Sequence, residues 1–316
     1  MKNILDALEN LPSISELLNK IVKSSSFDSP IYVTSFPGST KNLFVSLLPK
    51  HLKHILILFD DEKFLDEANA ELSILGLSDR LIQFNNFSVE NIQEKLTEIS
   101  KRESFVLLSP YDILFHKFPR KEHIKKNTTN IEQGSELSYN YLLEYLNLLN
   151  YQRENFVSAP GEYAKRGAII DFWSFSEKTP VRLEFDGNFI ESIRTFDPES
   201  QRSIESVLSV SLAREITDLS DECSSTIFDY INNPLVFSSR YALNNLNSLT
   251  NNNERQLSEE IFEDSEGTEI KIIDSTNNTL SQNKNFEFKL NKNALWIIED
   301  ELALSKETIN RGFSNH

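Results

Sequence analysis

The sequence predicts an α/β protein in which a parallel-sheet part is followed by a small α+β unit with mainly antiparallel strands. Three observations lead to this prediction. Strand-like and helix-like segments alternate from residue 30 to about residue 115. After residue 160, strand-like segments follow one another closely, and two of them are separated by an Asp-Gly turn signal. Alternation is typical of a doubly wound parallel sheet, whereas short turns between strands favour antiparallel pairing.

The first part begins with a helical stretch and continues as alternating strands and helices. Apolar residues recur every three or four positions over 3–22, and Pro12 predicts a break in that helix. The segment 54–59, HILILF, is almost wholly apolar, as expected for a strand that helices cover on both faces. The other predicted elements of this part are strands at 30–36, 80–84 and 104–110 and helices at 41–52, 60–76 and 88–102.

A different pattern starts near residue 116. The basic segment 116–130 has the composition of a linker, and a helix is predicted at 138–151. Closely spaced strands are then predicted at 162–175, 180–186 and 189–196. Acidic and Asn-rich stretches such as 251–269 predict solvated loops, because they hold too few apolar residues to pack against a core.

Composition and charge exclude several classes of function. The chain has 316 residues and a formal net charge of -16, whereas nucleic-acid binding along a whole surface needs an excess of Lys and Arg. A single cysteine, Cys223, allows neither an intramolecular disulfide nor a cysteine-based zinc site. The five histidines do not gather at metal-ligand spacing, so we expect no metal and no other cofactor.

No segment predicts an export signal or a membrane span. The N-terminal stretch MKNILDALENLPSISELL has acidic residues where a signal peptide needs an apolar core. No window approaches the ~20 apolar residues that cross a bilayer. We therefore expect a cytoplasmic protein.

The first strand-to-helix turn is the place where an α/β nucleotide-binding unit usually holds phosphates, and here it reads SFPGSTKN. When Lys41 is aligned with the lysine of the phosphate-loop pattern, Ser35 and Thr40 stand where the pattern has glycine. Asn42 replaces the hydroxyl residue that binds magnesium, although Gly38 remains within the turn. Because the backbone needs those glycines to curl around phosphates, no nucleotide binding is expected.

A two-residue turn at Asp186-Gly187 predicts a β-hairpin. This register pairs Arg182 with Glu191, an attractive cross-strand pair. A turn one residue later is the alternative, but it would place Glu184 opposite Glu191, which is unfavourable. We therefore predict the turn at Asp186-Gly187.

One face of this hairpin is predicted to be apolar, and the other to carry charged residues and one aromatic: Arg182, Glu184, Asp186, Phe189 and Glu191. That composition has two interpretations. An exposed aromatic among charges is typical of a recognition surface, because Arg and aromatic residues dominate binding hot spots. The alternative is a solvated face with one cross-strand ion pair, worth at most about 1 kcal/mol.

Three long motifs resemble the transcription-repair coupling factors (Mfd): YLLEYLNLLNYQRENFVSAPGEY, GEYAKRGAIIDFW and PVRLEFDGNFIESIRTFDPESQRS. More loosely, the same stretch is similar to the nucleotide-excision-repair protein UvrB, whose second domain that family shares. The clear match covers about 138–207, and FDPESQRS favours the coupling factors.

The resemblance implies a fold and a division into domains. It implies a degenerate RecA-like, P-loop-NTPase-like parallel-sheet domain (1a) at 1–115 and an inserted UvrB-domain-2-like unit at 116–212. A domain 1b-like segment at 213–316 would return to the first domain. The RNA-polymerase-binding domain and the two motor domains of the family would lie beyond residue 316. We therefore expect a fragment that is not an enzyme by itself.

The resemblance also implies a partner and a site. In the family, the second domain recruits UvrA to a stalled RNA polymerase, and two arginines are implicated in the contact. The matching residues are Arg166, in the RG motif, and Arg182, which opens the next strand motif. The family usually has a second aromatic where this chain has Asp186. We expect Phe189, predicted on the same face, to supply it, and Glu184 to complete the UvrA-binding group.

The leading hypothesis is a non-catalytic, UvrA-recruiting module of transcription-coupled nucleotide excision repair. The alternative is a UvrB-like, ATP-dependent DNA helicase, which the altered phosphate loop and the acidic charge oppose. In the full-length family, a C-terminal domain covers the UvrA-binding face, so the module could also serve autoinhibition. RNA polymerase and DNA would be bound by regions absent from this chain. The basic segment 116–126 is expected to link domains, with DNA contact as its alternative.

Overall fold

The chain folds into two compact units. The computed structural model describes residues 2–23, 31–34, 39–216, 224–239 and 294–300. Unit 1 comprises 1–85, 102–116 and 226–316, and unit 2 comprises 86–101 and 117–225. Each unit is built around a six-stranded sheet of its own.

The described helices, in chain order, are α1 (Lys2–Glu9), α2 (Pro12–Lys23), α3 (Thr40–Leu47), α4 (Glu62–Leu72), α5 (Val89–Lys101), α6 (Lys121–Lys126) and α7 (Tyr139–Leu148). The described strands are β1 (Ile31–Thr34), β2 (His54–Phe59), β3 (Leu81–Gln83), β4 (Phe105–Pro110), β5 (Phe118–Pro119), β6 (Thr128–Glu132), β7 (Gln152–Arg153), β8 (Glu162–Arg166), β9 (Ile169–Phe172), β10 (Val181–Asp186), β11 (Phe189–Phe196), β12 (Ser203–Ser206), β13 (Ser209–Ala213), β14 (Ser224–Ser225), β15 (Leu235–Ser239) and β16 (Leu295–Asp300).

The sheet of unit 1 is parallel throughout, in the order β1-β16-β15-β2-β4-β3. β2, β4 and β15 are almost wholly buried, which explains why HILILF is apolar on both faces. The N-terminal helical stretch breaks before Pro12, as predicted, and α2 buries Ile14, Leu18 and Ile21 in the core. The predicted parallel sheet is confirmed.

The sheet of unit 2 has the order β12-β11-β10-β9-β8-β7. Its neighbouring strands are antiparallel except β7 and β8, which are parallel. α7 covers one face, where Leu142 and Leu146 share a core with Ile170, Leu183 and Ile193. β6 and β13 form a separate antiparallel ribbon. The predicted, mainly antiparallel character of this part is confirmed.

Two predicted elements of unit 2 are wrong. The segment 162–175 is not one strand, because β8 and β9 form a hairpin around Gly167-Ala168. Gly167 has φ +60°, a conformation that other residues adopt only with strain, so β8 ends at Arg166. The supposed linker at 116–130 contains β5, α6 and part of β6, and Ile124 of α6 is buried.

The turn of the β10–β11 hairpin lies one residue later than predicted, at Gly187-Asn188. Gly187 has φ +61°, as the first central residue of a type II′ hairpin turn requires. Asp186 therefore lies opposite Phe189. The predicted turn at Asp186-Gly187 is wrong.

A β-bulge makes this turn compatible with the charges on the two strands. Without a bulge, the turn would place Glu184 opposite Glu191. Glu191 is instead the extra residue of a bulge in β11, so Ser192 lies opposite Glu184. The predicted pairing of Arg182 with Glu191 is replaced by Arg182 opposite Arg194.

No helix in the described ranges is long and apolar enough to cross a membrane. The loop predicted at 251–269 and the single cysteine, Cys223, lie outside the described residues.

Candidate protein-interaction face

The face of the unit 2 sheet that lies opposite α7 is named the outer face. Residues that lie opposite one another on neighbouring strands project to the same side of a sheet. Two rows of such neighbours form the outer face: Arg166, Ile169, Glu184 and Ser192 in the first, and Ala164, Asp171, Arg182 and Arg194 in the second. Asp186 and Phe189 continue the outer face towards the hairpin turn.

Arg182 is held by a buried carboxylate on the neighbouring strand. Its Nε and Nη2 donate to Oδ1 and Oδ2 of Asp171, both at 2.8 Å. The side chain of Asp171 is 1% exposed and that of Arg182 is 18% exposed. These hydrogen bonds raise the pKa of Arg182 although burial acts in the opposite direction. The guanidinium also lies over Phe196, 4.9 Å from the ring centroid. Arg182 therefore ties β9 to β10 with two charge-assisted hydrogen bonds.

Arg194 lies directly opposite Arg182, which is unfavourable unless each has a carboxylate partner. Arg182 turns to Asp171, whereas Nη2 of Arg194 turns to Oε2 of Glu184. The Ser192 hydroxyl accepts from Nη2 of Arg194 at 3.1 Å and donates to Glu184 at 3.3 Å. Arg194 and Glu184 are 39% and 37% exposed, so water reaches their pair. The outer face thus carries one enclosed and one open ion pair.

Arg166 stands exposed at the end of β8, directly before the turn at Gly167. Its Nη2 donates to the carbonyl oxygen of Asn155 at 2.8 Å. Its guanidinium lies 4.5 Å from the ring centroid of Phe156, which is itself exposed. Neither contact supplies a negative charge, so the positive charge of Arg166 faces solvent. An arginine stacked on an exposed aromatic ring is a combination enriched at binding hot spots.

Glu162, the first residue of β8, orders the loop that carries Phe156. Its Oε2 accepts hydrogen bonds from the N–H groups of Ser158 at 2.7 Å and Ala159 at 3.0 Å, and from the Ser158 hydroxyl at 3.0 Å. Burial opposes ionisation, yet the hydrogen bonds together hold the pKa of Glu162 below its ordinary value of 4.5. At the other end of this loop, the N–H of Glu154 donates to the carbonyl oxygen of Tyr163 at 2.8 Å, so the loop beside Arg166 is anchored at both of its ends.

Phe189 is an exposed aromatic beside the hairpin turn, with 53% of its surface accessible. It shares a face with Asp186, as predicted. A shallow groove runs along it and includes Glu132, Glu191 and Leu208. The ring therefore lies between the charged outer face and a groove with an acidic lining.

The five predicted site residues, Arg166, Arg182, Glu184, Asp186 and Phe189, are all on the outer face. The sequence prediction missed Arg194 and Ser192. The predicted turn paired Arg182 with Glu191, and that pairing hid the contact between Arg194 and Glu184. The preference of glycine for the first central position of a hairpin turn is the signal that could have found them.

In unit 1, Lys41 is the residue that still matches the phosphate-loop pattern. Its Nζ pairs with Oε2 of Glu299 on β16 at 3.4 Å and lies 5.6 Å from the ring centroid of Phe59. In a working phosphate loop, the corresponding lysine binds phosphates. Here the carboxylate of Glu299 would repel them. Ser35 and Gly38 of the same turn lie outside the described residues.

The start of α3 is likewise engaged by a carboxylate. Nδ2 of Asn42 donates to Oε2 of Glu71 at 2.7 Å, and the Ser39 hydroxyl donates to Oε1 of Glu71 at 3.2 Å. Thr40 is the first residue of the helix. Among the described residues, no group of His, Cys, Asp and Glu could hold a metal ion.

Comparison with known proteins supports the resemblance that the motifs suggested. Residues 129–214 match the UvrB interaction domain. The chain is 31% identical to the transcription-repair-coupling factor of Bacillus subtilis over 117 residues, which is 37% of this chain and 10% of that protein. It is 25% identical to that of Borreliella burgdorferi over 216 residues, which is 64% of this chain and 18% of that protein.

The chain is also similar to a UvrB protein. The chain is 30% identical to the UvrABC system protein B of Chlorobaculum tepidum over 117 residues, which is 36% of this chain and 17% of that protein. The chain thus spans less than a fifth of the length of these curated relatives. The predicted resemblance to the N-terminal region of transcription-repair coupling factors is confirmed.

The two ion pairs of the outer face should contribute very differently to stability. Arg182→Ala leaves the buried carboxylate of Asp171 without a partner, so we expect it to lower the free energy of unfolding by about 3 kcal/mol. Arg194→Ala breaks a pair that water screens, and we expect a loss of at most about 1 kcal/mol. Urea unfolding followed by Trp173 fluorescence in a Trp296→Phe background measures both. Equal losses for the two variants would contradict the distinction.

Stability should also depend on pH through Glu162. Because its folded-state pKa is depressed, its contribution is fully present above 4.5 and is lost as the pH falls through the folded-state value. Glu162→Gln should therefore lower the free energy of unfolding by about 1 kcal/mol at neutral pH. The difference from wild type should shrink as the pH falls below 4.5. Urea unfolding across this range tests the sign, and a difference that grows on acidification would refute it.

Proposed function

We propose that this chain, which resembles the N-terminal region of transcription-repair coupling factors, recruits UvrA through the outer face of unit 2. The observation that carries the proposal is the exposed guanidinium of Arg166, which no carboxylate of the described residues neutralises and which lies on a strand end within the stretch that matches the UvrB interaction domain. A rigid β scaffold lowers the entropy cost of binding, because the anchor is already in place before the partner arrives.

The proposed contact comprises Arg166, Arg182, Glu184, Asp186 and Phe189. Arg166 and Phe189 are the exposed anchors, whereas Arg182 is mainly occupied by Asp171. The hydrogen bonds to Asp171 use Nε and Nη2, so Nη1 is the part of Arg182 that a partner could contact. Phe189 supplies the aromatic that the family usually has at the position of Asp186.

Unit 1 is proposed to be a degenerate RecA-like domain without nucleotide chemistry, so that the chain by itself is not an enzyme. The supporting contacts are those of Lys41 with Glu299 and of Asn42 with Glu71. Residues 1–115, 116–212 and 213–316 are proposed to correspond to domains 1a, 2 and 1b of the family. The alternative, a UvrB-like ATP-dependent helicase, is supported by the similarity to UvrABC system protein B.

Further partners belong to the proposed full-length protein. A C-terminal domain would cover the outer face when UvrA is absent, and other regions would bind RNA polymerase and DNA. We propose that this recruitment takes place in the cytoplasm. α6 carries positive charge at 121–126. We propose that this segment links two domains, and contact with DNA is the alternative.

Substitution of either exposed anchor should weaken UvrA binding. We expect Arg166→Ala to cost about 2 kcal/mol and Phe189→Ala about 1–2 kcal/mol, which is the range of hot-spot residues. Calorimetric titration of UvrA measures both, and added salt should weaken the wild-type affinity if Arg166 meets carboxylates.

Tyr141→Ala is the matched control for the aromatic variant. Tyr141 is as exposed as Phe189 but lies on α7, on the opposite side of the sheet. Its affinity for UvrA should equal that of the wild type. Unchanged affinity of Arg166→Ala would reject the proposed contact, and unchanged affinity of Phe189→Ala would reject its role as the replacement aromatic.

ATP should leave the thermal stability of the chain unchanged. A ligand that binds the folded state specifically raises the melting temperature by mass action. Differential scanning calorimetry with millimolar ATP and magnesium therefore separates the module from the helicase alternative. A rise of several degrees that Lys41→Ala abolishes would favour the helicase.

A further inference from the structure

We propose that Arg194 is a carboxylate-binding group of the outer face and that Glu184 occupies it until an acidic segment of the partner takes its place. This inference rests on the proposed function and deepens it. It adds Arg194, which lies within the third motif but was given no role there, and gives Glu184 the role of an internal competitor.

The geometry around Arg194 is that of a site already shaped for a carboxylate. The bulge at Glu191 brings Ser192 opposite Glu184, one strand away from it. The Ser192 hydroxyl accepts from both Nε and Nη2 of Arg194, at 3.3 Å and 3.1 Å. The guanidinium is thereby held with Nη2 directed at Oε2 of Glu184. A carboxylate arriving from outside would find Arg194 already oriented.

The degree of burial decides which arginine can exchange its partner. Arg182 gives two hydrogen bonds to a carboxylate that is 1% exposed, so its withdrawal would leave Asp171 charged, buried and unpaired. Arg194 gives one N–H to a carboxylate that is more than a third exposed. Once displaced, Glu184 regains water at little cost. Exchange is therefore open to Arg194 and closed to Arg182.

The arrangement of charges describes the partner. Arg166 on β8 and Arg194 on β11 are three strand spacings apart, which is about 15 Å. The half-buried side chain of Ile169 lies between them on the same face. The complementary surface is an acidic segment with two carboxylates separated by an apolar group. Because Glu184 already satisfies Arg194, only a segment that offers a carboxylate of its own can exchange with it, and this requirement adds specificity.

A double-mutant cycle with UvrA tests the exchange. Arg194→Ala should weaken binding on the order of tenfold, because it removes one arm of the contact. Glu184→Gln should tighten binding roughly threefold, because Arg194 is then released from its internal partner. In the Arg194→Ala background, Glu184→Gln should have no effect. Arg194→Lys should recover only part of the affinity, because lysine lacks the planar fork.

Arg214→Ala is the control for loss of a positive charge. Arg214 is exposed and follows β13, outside the six-stranded sheet. Its variant should bind like the wild type, and thermal melts should show all variants folded.

Each outcome of the cycle decides the inference. A tightening by Glu184→Gln that needs Arg194 supports it. Unchanged affinity of Arg194→Ala, or a tightening by Glu184→Gln that persists without Arg194, overturns it; if Arg166→Ala still weakens binding, the proposed function stands. Absence of wild-type binding to UvrA overturns both.

Discussion

The bidentate ion pair between Arg182 and the buried Asp171 is the interaction on which the outer face depends. It joins β9 to β10 across the centre of the sheet. Because Arg182 is committed to that side, Arg194 on β11 can turn the other way, to Glu184. Two arginines that would repel each other are thereby separated into an enclosed pair that fixes the sheet and an open pair that a partner can reach.

The exposed anchors owe their positions to the backbone at the edges of this scaffold. Arg166 lies immediately before a turn that requires glycine, and Phe189 lies immediately after another. Glu162 orders the loop that stacks Phe156 on Arg166. Anchors that the backbone positions before a partner arrives lower the ordering cost of recognition.

The positive charges that the sequence analysis singled out have opposite surroundings in the two units. In unit 1, the lysine and asparagine of the first strand-to-helix turn are satisfied by carboxylates of the same unit, Glu299 and Glu71. In unit 2, Arg166 has only a carbonyl oxygen and an aromatic ring as partners in these contacts. Positive charge is thus neutralised at the start of α3 in unit 1 and left available where a protein partner is proposed in unit 2.

Periodicity was sufficient to predict a parallel sheet and a mainly antiparallel sheet, but pairwise charge rules were not sufficient to predict the contacts of the outer face. The alternation of apolar strands and helices gave the parallel sheet, because buried strands such as β2 are apolar on both faces. The hairpin register failed because a cross-strand rule excluded Glu184 opposite Glu191, whereas the chain removes that repulsion with a bulge.

The partner of Arg182 could not be predicted for a related reason. Asp171 ends an apolar run that was interpreted as one long strand, so its position opposite Arg182 depends on a turn at Gly167 that was not recognised. The positions of Arg166 and Phe189 on the outer face could be predicted because the direction of a side chain follows from alternation along a single strand.

Hydroxyl-radical footprinting of aromatic side chains with and without UvrA tests the central claim most directly, since it reads side-chain exposure without any substitution. Phe156, Phe189 and Tyr141 are similarly exposed in the free chain. If the outer face binds UvrA, Phe156 and Phe189 lose reactivity in the complex and Tyr141 on α7 keeps it. Protection of Tyr141 with Phe156 and Phe189 unchanged would contradict the account.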